Sequence, residues 1–283
     1  MGELTYYVNG TFVPADEAAL PLNDLGIVRG YGVFDLLRTY GTVPFRLRDH
    51  IHRLESSASQ IALALPWSTE ELEDIVLQTY ARNEIADASI RIVVTGGPST
   101  NFMTPQGKPS LVVMVHPVTP YPESYYRDGC KATTTLVERT MATVKSLNYI
   151  GAIVAMEDAS KTGAVEAIYL DAHDRLTEGT RSNLFGVRGN LLVTPREGVL
   201  KGITRQVVLE VAPAEFEVVE GPIHYQDLAE FDELFFTSTT KEILPIVQID
   251  EHVIGTGKPG PQTQRLTELF QEYIHSVCAP ITA

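Results

Sequence analysis

A segment rich in proline and tyrosine divides the chain. Three prolines and three tyrosines lie between Pro117 and Tyr126. Proline fixes φ and has no backbone N–H, so a segment of this kind cannot continue a helix or a central strand. We therefore predict a small N-terminal domain over residues 1–116 and a larger C-terminal domain over residues 129–283. Residues 117–128 form the linker between them.

Hydrophobic periodicity predicts helices and strands on both sides of the linker. Asn9-Gly10 is a good turn dipeptide and predicts a hairpin over residues 6–13. Apolar residues recur at three- and four-residue steps over 45–63, as in an amphipathic helix, and Ser68 followed by acidic residues starts a second helix. Beyond the linker, short β runs alternate with helices. The sequence thus predicts an α+β (mixed α/β) fold, with further strands at 89–95, 111–116, 167–170, 184–187, 191–193 and 234–238 and further helices at 152–161, 204–211 and 262–277.

Charge and composition exclude several classes of partner. With 22 basic and 36 acidic residues the net charge is −14, whereas a nucleic acid or an anionic membrane surface needs a basic stripe. A bound anion must therefore meet a local cluster of positive groups. Cys130 and Cys278 are far apart and suit free thiols. No signal-peptide pattern and no membrane-length apolar run is evident, so we expect a cytoplasmic protein.

One lysine stands out, in the segment TVKSLNYI of residues 143–150. A lysine in a mostly apolar pocket loses hydration of its ammonium, so its pKa falls and it becomes a usable nucleophile and base. A carbonyl cofactor needs such a group, because the lysine must form and re-form a Schiff base. Alternatively, Lys145 ends a strand with its ammonium in solvent, the commoner state of lysine.

Four blocks together decide between these interpretations. They are KSLNY at 145–149, EGTRSN at 178–183, LKGITR at 200–205 and TSTTKEI at 237–243. In this order they resemble the class IV aminotransferases, the fold-type IV pyridoxal-phosphate enzymes, and the resemblance covers nearly the whole chain. That group includes branched-chain aminotransferases, D-amino-acid transaminases and aminodeoxychorismate lyases. The resemblance implies a small α/β N-terminal domain, a larger β-barrel-like α/β C-terminal domain, and a homodimer with shared active sites.

The resemblance also implies roles for individual residues. Lys145 would form the Schiff base with pyridoxal 5′-phosphate and carry the proton between Cα and C4′. Tyr149 would lie near the cofactor's 3′ oxygen, and the carboxylate of Glu178 beside the pyridine nitrogen would keep that nitrogen protonated. The remaining cofactor-binding residues that it implies, most of them for the phosphate, are Arg53, Ser182, Asn183, Ile203, Thr204, Ser238 and Thr239.

Several of these residues also have a purely structural interpretation. Tyr149 could be core packing near a helix start, and Glu178 a solvated glutamate in a turn. Thr204 could act as the N-cap of the helix that follows it. Arg53 lies in a predicted helix, where an arginine is usually at the surface.

Substrate recognition is implied for four residues: Arg29, Phe34, Arg91 and Thr240. Arg91 matches an arginine that branched-chain enzymes use near the substrate side chain. Phe34 stands where the familiar D-amino-acid transaminases carry a tyrosine, and their Arg-x-His carboxylate clamp is absent after Gly97. Arg29 and Arg91 could replace that clamp by forked hydrogen bonds to the α-carboxylate. In the family, a carboxylate held on the side of the cofactor's 3′ oxygen goes with D-substrates.

The sequence therefore favours a ping-pong transaminase that moves an amino group from a D-amino acid to a 2-keto acid such as 2-oxoglutarate through a Lys145 Schiff base. The alternatives are a branched-chain L-amino-acid aminotransferase, an aminodeoxychorismate lyase, or a binding protein that kept the fold and lost the cofactor. Arg29 would act in its own or in the neighbouring subunit's site. The histidines show no metal-binding spacing, so no metal is expected.

Overall fold

The chain divides into two compact units. The computed structural model describes residues 4–137 and 139–278; residues 1–3, 138 and 279–283, which include the outer ends of both predicted domains, lie outside. The first unit comprises Met1–Thr119 and Val144–Asn148, and the second Pro120–Thr143 and Tyr149–Ala283. The segment with Lys145, which the sequence assigned to the C-terminal domain, thus belongs to the first unit.

A six-stranded antiparallel sheet forms the frame of the first unit. Its strand order is β2-β1-β6-β5-β3-β4. The strands are β1 (Thr5–Val8), β2 (Thr11–Pro14), β3 (Gly32–Tyr40), β4 (Val43–Pro44), β5 (Ala88–Thr95) and β6 (Ser110–Pro117), and the helices are α1 (Leu25–Arg29), α2 (Leu47–Gln60) and α3 (Thr69–Ala81).

Alternation along the strands explains why one face of this sheet is buried. Successive side chains of a strand point to opposite faces. Val33 and Leu37 of β3 are fully buried and share a hydrophobic cluster with Leu54 of α2 and Leu72 of α3. The predicted start of α3 is confirmed by a capping box between Ser68 and Glu71. Phe34 and Leu36 alternate onto the opposite face of β3.

The segment with Lys145 lies along the start of β3. Ser146 forms a bridge with Val33, the Phe34 N–H donates to the Lys145 carbonyl at 2.9 Å, and the Leu147 N–H donates to the Gly32 carbonyl at 3.0 Å. A Cβ at Gly32 would lie 2.6 Å from the Val94 carbonyl oxygen and 2.7 Å from Leu147 Cδ1. Gly32 therefore permits this close approach.

A ten-stranded mixed sheet forms the frame of the second unit. Its strands are β7 (Cys130–Thr135), β8 (Glu166–Leu170), β9 (Arg175–Gly179), β10 (Asn183–Arg188), β11 (Leu191–Thr194), β12 (Glu217–Glu220), β13 (Ile223–His224), β14 (Glu233–Ser238), β15 (Glu242–Ile249) and β16 (His252–Val253). The helices are α4 (Glu123–Arg127), α5 (Ile150–Lys161), α6 (Ile203–Val211) and α7 (Pro261–Cys278), with short 3-10 turns at Ala212–Ala214 and Tyr225–Glu230.

Six of these strands close on themselves. The order β10-β14-β15-β7-β8-β9 is completed by a pairing of Asn183 in β10 with Glu178 in β9. The result is a barrel-like sheet with a core that includes Ile168, Leu184 and Phe236. The predicted α+β fold class is confirmed. None of the helices within the described residues has both the length and the apolar character that crossing a membrane requires.

Several elements escaped the sequence prediction, among them α1, α4, β7, β9, β12 and β15. Helix α1 is only five residues long, which is too short to show a periodic pattern. Strand β15 contains Pro245, and proline within an apolar run argues against a central strand. Pro245 is tolerated because β7 pairs with β15 only from Ile246 onward, so the missing N–H lies before that pairing begins.

Candidate active site

Lys145 is fixed to the first unit through its backbone. Its N–H donates to the buried hydroxyl of Ser57 on α2 at 3.1 Å, and its carbonyl accepts from the Phe34 N–H. The Nζ atom lies 4.8 Å from the centre of the Phe34 ring, within the range of a cation–π contact. The half-buried lysine therefore lies against an aromatic side chain.

Arg91 lies against the same ring. Its guanidinium carbon is 5.0 Å from the centre of Phe34. The register of β3 and β5 explains this, because Leu36 pairs with Arg91 and Phe34 with Val93, so these side chains share one face of the sheet. Two of the predicted substrate-binding residues are thus brought together with Lys145.

Arg29 is not part of that group. It is exposed at the end of α1, and its guanidinium donates to the Val28 carbonyl at 2.9 Å. Within residues 4–137 and 139–278 it forms no hydrogen bond, ion pair or ring contact with Phe34 or Arg91. Within one copy of the first unit, Arg29 therefore does not join Lys145 and Arg91 at the Phe34 ring.

Arg53 belongs to a buried polar cluster with Asp35 and His50. Its Nε donates to Asp35 Oδ2 at 2.9 Å and its Nη2 to Asp35 Oδ1 at 2.7 Å. His50 Nδ1 lies 2.6 Å from Asp35 Oδ1. The side chain of Arg53 is only 11% exposed, so its interpretation as an ordinary surface arginine is wrong.

Electrostatics fixes the charge states in this cluster. Burial alone would raise the pKa of Asp35, but the positive charge of Arg53 and the hydrogen bonds from His50 and Arg53 outweigh it and hold that pKa well below its usual value. Burial lowers the pKa of His50, although the Asp35 charge opposes it. Asp35 is therefore ionised and His50 neutral at pH 7. Asp35 and His50 were not predicted as site residues. Their one indication in the sequence is that His50 and Arg53 are three residues apart in α2 and so lie on one side of the helix.

Glu178 is the centre of a second group, in the second unit. It lies in β9 and is 3% exposed. Its Oε2 accepts from the Leu200 N–H at 2.9 Å and from Asn183 Nδ2 at 3.3 Å. Asn183 Nδ2 is also 2.7 Å from the Leu200 carbonyl. The alternative of a solvated turn glutamate is therefore wrong, because this carboxylate is buried and held by a strand and a loop.

Arg139, which the sequence analysis did not single out, contacts the other carboxylate oxygen of Glu178 as an ion pair. Tyr169 lies in the same electrostatic environment as Arg139, Glu178 and Tyr149. Burial raises the pKa of Tyr169 to about 12, with Arg139 opposing. Tyr149 itself is half-buried immediately before α5. The phenol of Tyr169 thus interacts electrostatically with the phenol of Tyr149, the guanidinium of Arg139 and the carboxylates of Glu178 and Glu166.

Helix α6 begins without a side-chain hydrogen bond at its N-cap. Its N-cap is Gly202, in an extended conformation and with no side-chain cap bond. The Thr204 N-cap alternative is therefore wrong. Ile203 and Thr204 are buried in the first turn, where helix N–H groups lack intrahelical partners and favour anions. A Cβ at Gly202 would lie 2.1 Å from Asn183 Oδ1, so Asn183 and the helix start are in close contact.

Ser238 at the end of β14 and Thr239 and Thr240 in the turn that follows are all half-buried. Before Ser238, Thr237 pairs with Asn183 across β14 and β10, so the two side chains share a face. The buried Thr237 Oγ1 has no hydrogen-bond partner among the residues that the structure describes. The predicted cofactor residue Ser182 donates instead to Glu166 Oε2 at 2.8 Å. In the same described part of the chain no group of three His, Cys, Asp or Glu residues suits a metal ion.

Several known proteins are similar to this chain in both sequence and fold. The family profile described as amino-transferase class IV matches residues 32–249. A Methanocaldococcus jannaschii protein, provisionally named a branched-chain-amino-acid aminotransferase, is 39% identical over 276 residues, with 94% of this chain and 95% of that protein covered. The D-alanine aminotransferase of Listeria monocytogenes is 33% identical over 282 residues, with 97% of each covered. The branched-chain aminotransferase of Thermoproteus uzoniensis with norvaline superposes with a TM-score of 0.89 at 30% identity, with 97% of this chain and 96% of that chain covered.

The chain belongs to the class IV aminotransferases. Its fold is that of the fold-type IV enzymes, as the sequence predicted. Aminotransferases of this class use pyridoxal 5′-phosphate.

The residues of the second unit fit this cofactor chemically. A buried, ionisable carboxylate at Glu178 suits a protonated pyridine nitrogen. The start of α6, which no side chain caps, suits a phosphate. On the strand next to Asn183, Thr237 offers a buried hydroxyl with no partner within the described residues. Nothing in this donor set conflicts with pyridoxal phosphate.

Proposed function

We propose that this aminotransferase moves an amino group from a D-amino acid to a 2-keto acid such as 2-oxoglutarate. The observation that carries the proposal is that Arg91 and Lys145 both lie against the ring of Phe34. A guanidinium offers two parallel N–H donors, the geometry that a carboxylate accepts best. Arg91 would hold the α-carboxylate on the side of the cofactor's 3′ oxygen. A carboxylate on that side goes with D-substrates in this family, so this placement assigns D-amino acids.

When bound, pyridoxal phosphate supplies a carbonyl carbon that takes up the amino group and a ring that accepts electrons. Lys145 Nζ moves the proton between the substrate Cα and the cofactor's C4′. The Glu178 carboxylate holds a proton on the pyridine nitrogen, while the Leu200 N–H and Asn183 Nδ2 fix that carboxylate in place.

Arg53, Ile203, Thr204, Ser238 and Thr239 bind the phosphate in this proposal, and Tyr149 donates to the 3′ oxygen. Asp35 supports Arg53 by accepting from Nε and Nη2. With those donors fixed by a buried carboxylate, the rest of the guanidinium is preoriented, which reduces the entropy lost when an anion binds.

We further propose a homodimer in which Arg29 acts in the neighbouring subunit's site. Arg29 is exposed and does not contact Arg91 within the described residues. Helix α5 exposes Ile150, Ile153 and Val154 by 74%, 62% and 52%. These residues share one side of the helix, and an exposed apolar stripe of this kind is typical of an association surface. Light scattering of the purified protein should give twice the 31.2 kDa chain mass; a monomer would contradict the dimer.

A branched-chain L-amino-acid aminotransferase is the second candidate function. It is supported by the 39% identity to the Methanocaldococcus jannaschii protein against 33% to the D-alanine aminotransferase of Listeria monocytogenes. Phe34 and Val93 also offer an apolar surface beside Arg91, which suits an aliphatic side chain as well as an aromatic contact.

Chiral product analysis tests the proposal. The enzyme would be incubated with 2-oxoglutarate and either enantiomer of alanine, glutamate or leucine, and the remaining donor would be separated by chiral chromatography. We expect consumption of the D-enantiomers. Consumption of L-leucine alone would contradict the D-assignment and favour the second candidate. In a separate incubation without a keto acid, release of pyruvate from aminodeoxychorismate would indicate a lyase.

A further inference from the structure

A buried ion pair joins strand β8 to the turn after β14 in the second unit. Lys241 Nζ lies 2.5 Å from Glu166 Oε2, and the two side chains are 1% and 0% exposed. Both charges are therefore desolvated, which is costly unless the pair is well hydrogen-bonded. The contacts of Glu166 and of Lys241 show which segments of the second unit the pair holds in place.

Glu166 organises the turn that follows Glu178. Its Oε1 accepts from the Arg181 N–H at 2.5 Å and from the Thr180 hydroxyl at 3.1 Å, while its Oε2 accepts from the Ser182 hydroxyl at 2.8 Å. A Cβ at Gly179 would lie 2.8 Å from Glu166 Oε1. The turn therefore wraps closely around this carboxylate, and the position of Glu178 on one side of the turn and of Asn183 on the other depends on it.

Lys241 belongs to the turn after β14. Its backbone N–H donates to the Ser238 hydroxyl at 3.2 Å, and its carbonyl accepts from the Tyr126 hydroxyl at 3.2 Å. Its ammonium also lies 5.4 Å from the centre of the Tyr121 ring. Lys241 therefore fixes the end of the turn that contains Ser238, Thr239 and Thr240.

We infer that Glu166 and Lys241 are positioning residues that hold the phosphate-binding turn at Ser238–Thr240 in register with the turn at Thr180–Ser182 beside Glu178. The inference rests on the proposed function, which gives the phosphate to Ser238 and Thr239 and the pyridine nitrogen to Glu178. Neither Glu166 nor Lys241 touches the cofactor in this scheme. Supporting residues behind a binding site typically change its affinity by one to two orders of magnitude when they are replaced.

The test compares pyridoxal phosphate with pyridoxal, which lacks the phosphate. Apo-protein would be prepared for the wild type, Lys241→Met, Glu166→Gln and the double variant Lys241→Met/Glu166→Gln. Affinities for both aldehydes come from spectroscopic titration, and melting temperatures from thermal unfolding. Lys161→Met is the matched control, because Lys161 pairs with Asp158 at the surface of the same unit, with the two side chains 71% and 70% exposed.

We expect Lys241→Met to weaken the binding of pyridoxal phosphate by about 10- to 100-fold and that of pyridoxal by no more than about threefold. The double variant should recover part of the melting temperature, because no unpaired charge remains buried, yet keep the reduced preference for the phosphate. Lys161→Met should match the wild type in both respects.

Three results would overturn the inference. A normal preference for pyridoxal phosphate in Lys241→Met would show that the pair does not position the phosphate turn. Recovery of that preference together with stability in the double variant would reduce the pair to a structural role. If the wild type itself bound both aldehydes equally, the proposed phosphate site would be wrong, and the inference would fall with it.

Discussion

Arg53 places both Nε and Nη2 on the carboxylate of Asp35, at 2.9 and 2.7 Å. The Asp35 side chain is fully buried and that of Arg53 is 11% exposed. His50 Nδ1 lies 2.6 Å from Asp35 Oδ1 and completes the cluster. Helix α2 supplies the two basic residues and strand β3 the acid. This arrangement ties the helix with the proposed phosphate-binding arginine to the strand that pairs with the Lys145 segment.

Asp35→Asn should destabilise the protein by about 3–5 kcal/mol, because it leaves the Arg53 charge buried without its partner. The free energy of unfolding from urea titration measures this. The control is Asp49→Asn, since Asp49 pairs with Arg46 on the same helix in a partly exposed position; it should cost no more than about 1 kcal/mol. Equal effects of the two substitutions would contradict the importance of the buried cluster.

His50 predicts a specific pH dependence of stability. Its pKa is lowered in the folded state, first by burial, so the unfolded chain takes up a proton before the folded protein does as the pH falls. The stability it contributes is complete above the ordinary histidine pKa of about 6.5 and is lost progressively below it, towards the lowered folded value.

Between about pH 7.5 and about pH 5 the wild type should therefore lose melting temperature faster than His50→Asn, which cannot titrate there. Asp35 does not obscure the comparison, because its pKa is lowered from an ordinary value near 4 and its contribution disappears only at more acidic pH. Parallel profiles of melting temperature against pH for the two proteins would refute the assignment of a neutral buried His50.

Gly202→Ala should disrupt the contact between α6 and Asn183. The new methyl would lie 2.1 Å from Asn183 Oδ1, and displacing Asn183 removes a donor from Glu178. We expect a loss of about 1–3 kcal/mol in stability together with weaker cofactor binding in titrations of the apo-protein. At the control position, Gly221→Ala, the nearest atom is Val219 Cγ1 at 3.4 Å, an ordinary contact. A Gly202→Ala variant with wild-type cofactor affinity would argue against a cofactor site at the start of α6.

Glu178→Gln should keep a side chain of the same size but remove the charge that holds a proton on the pyridine nitrogen. We expect kcat to fall on the order of 100-fold, as is typical when a preorganised charge in an active site is lost. The control is Glu251→Gln in the exposed turn between β15 and β16 of the same unit, which should leave kcat unchanged. An unchanged kcat in Glu178→Gln, measured at saturating substrate, would remove Glu178 from the chemistry.

Local signals in the sequence predicted local structure well. Ser68 and Glu71 gave the start of α3 because a capping box involves only neighbouring residues. The hairpin around Asn9-Gly10 followed from turn chemistry alone. The fold family followed from four sequence blocks that resemble those of the class IV aminotransferases.

Long-range contacts were beyond the sequence. Nothing local indicates that Asp35 of β3 meets His50 and Arg53 of α2, or that the Lys145 segment pairs with Val33. Arg139 lies in an irregular segment without periodicity, so its contact with Glu178 had no sequence signal. That Arg91 and Lys145 contact the same Phe34 ring, whereas Arg29 donates to the Val28 carbonyl, could likewise only be seen in three dimensions.

The first half of the reaction, in which the donor gives its amino group to the enzyme, tests the proposed preference for D-amino acids. The yellow enzyme would be mixed, without any acceptor, with D-alanine, D-glutamate, L-glutamate or L-leucine, and the loss of visible cofactor absorbance followed with time. Lys145→Ala is the negative control and should show neither the wild-type spectrum nor turnover. We expect faster conversion with both D-amino acids than with either L-amino acid. Faster conversion with L-leucine would contradict the proposed D-specificity.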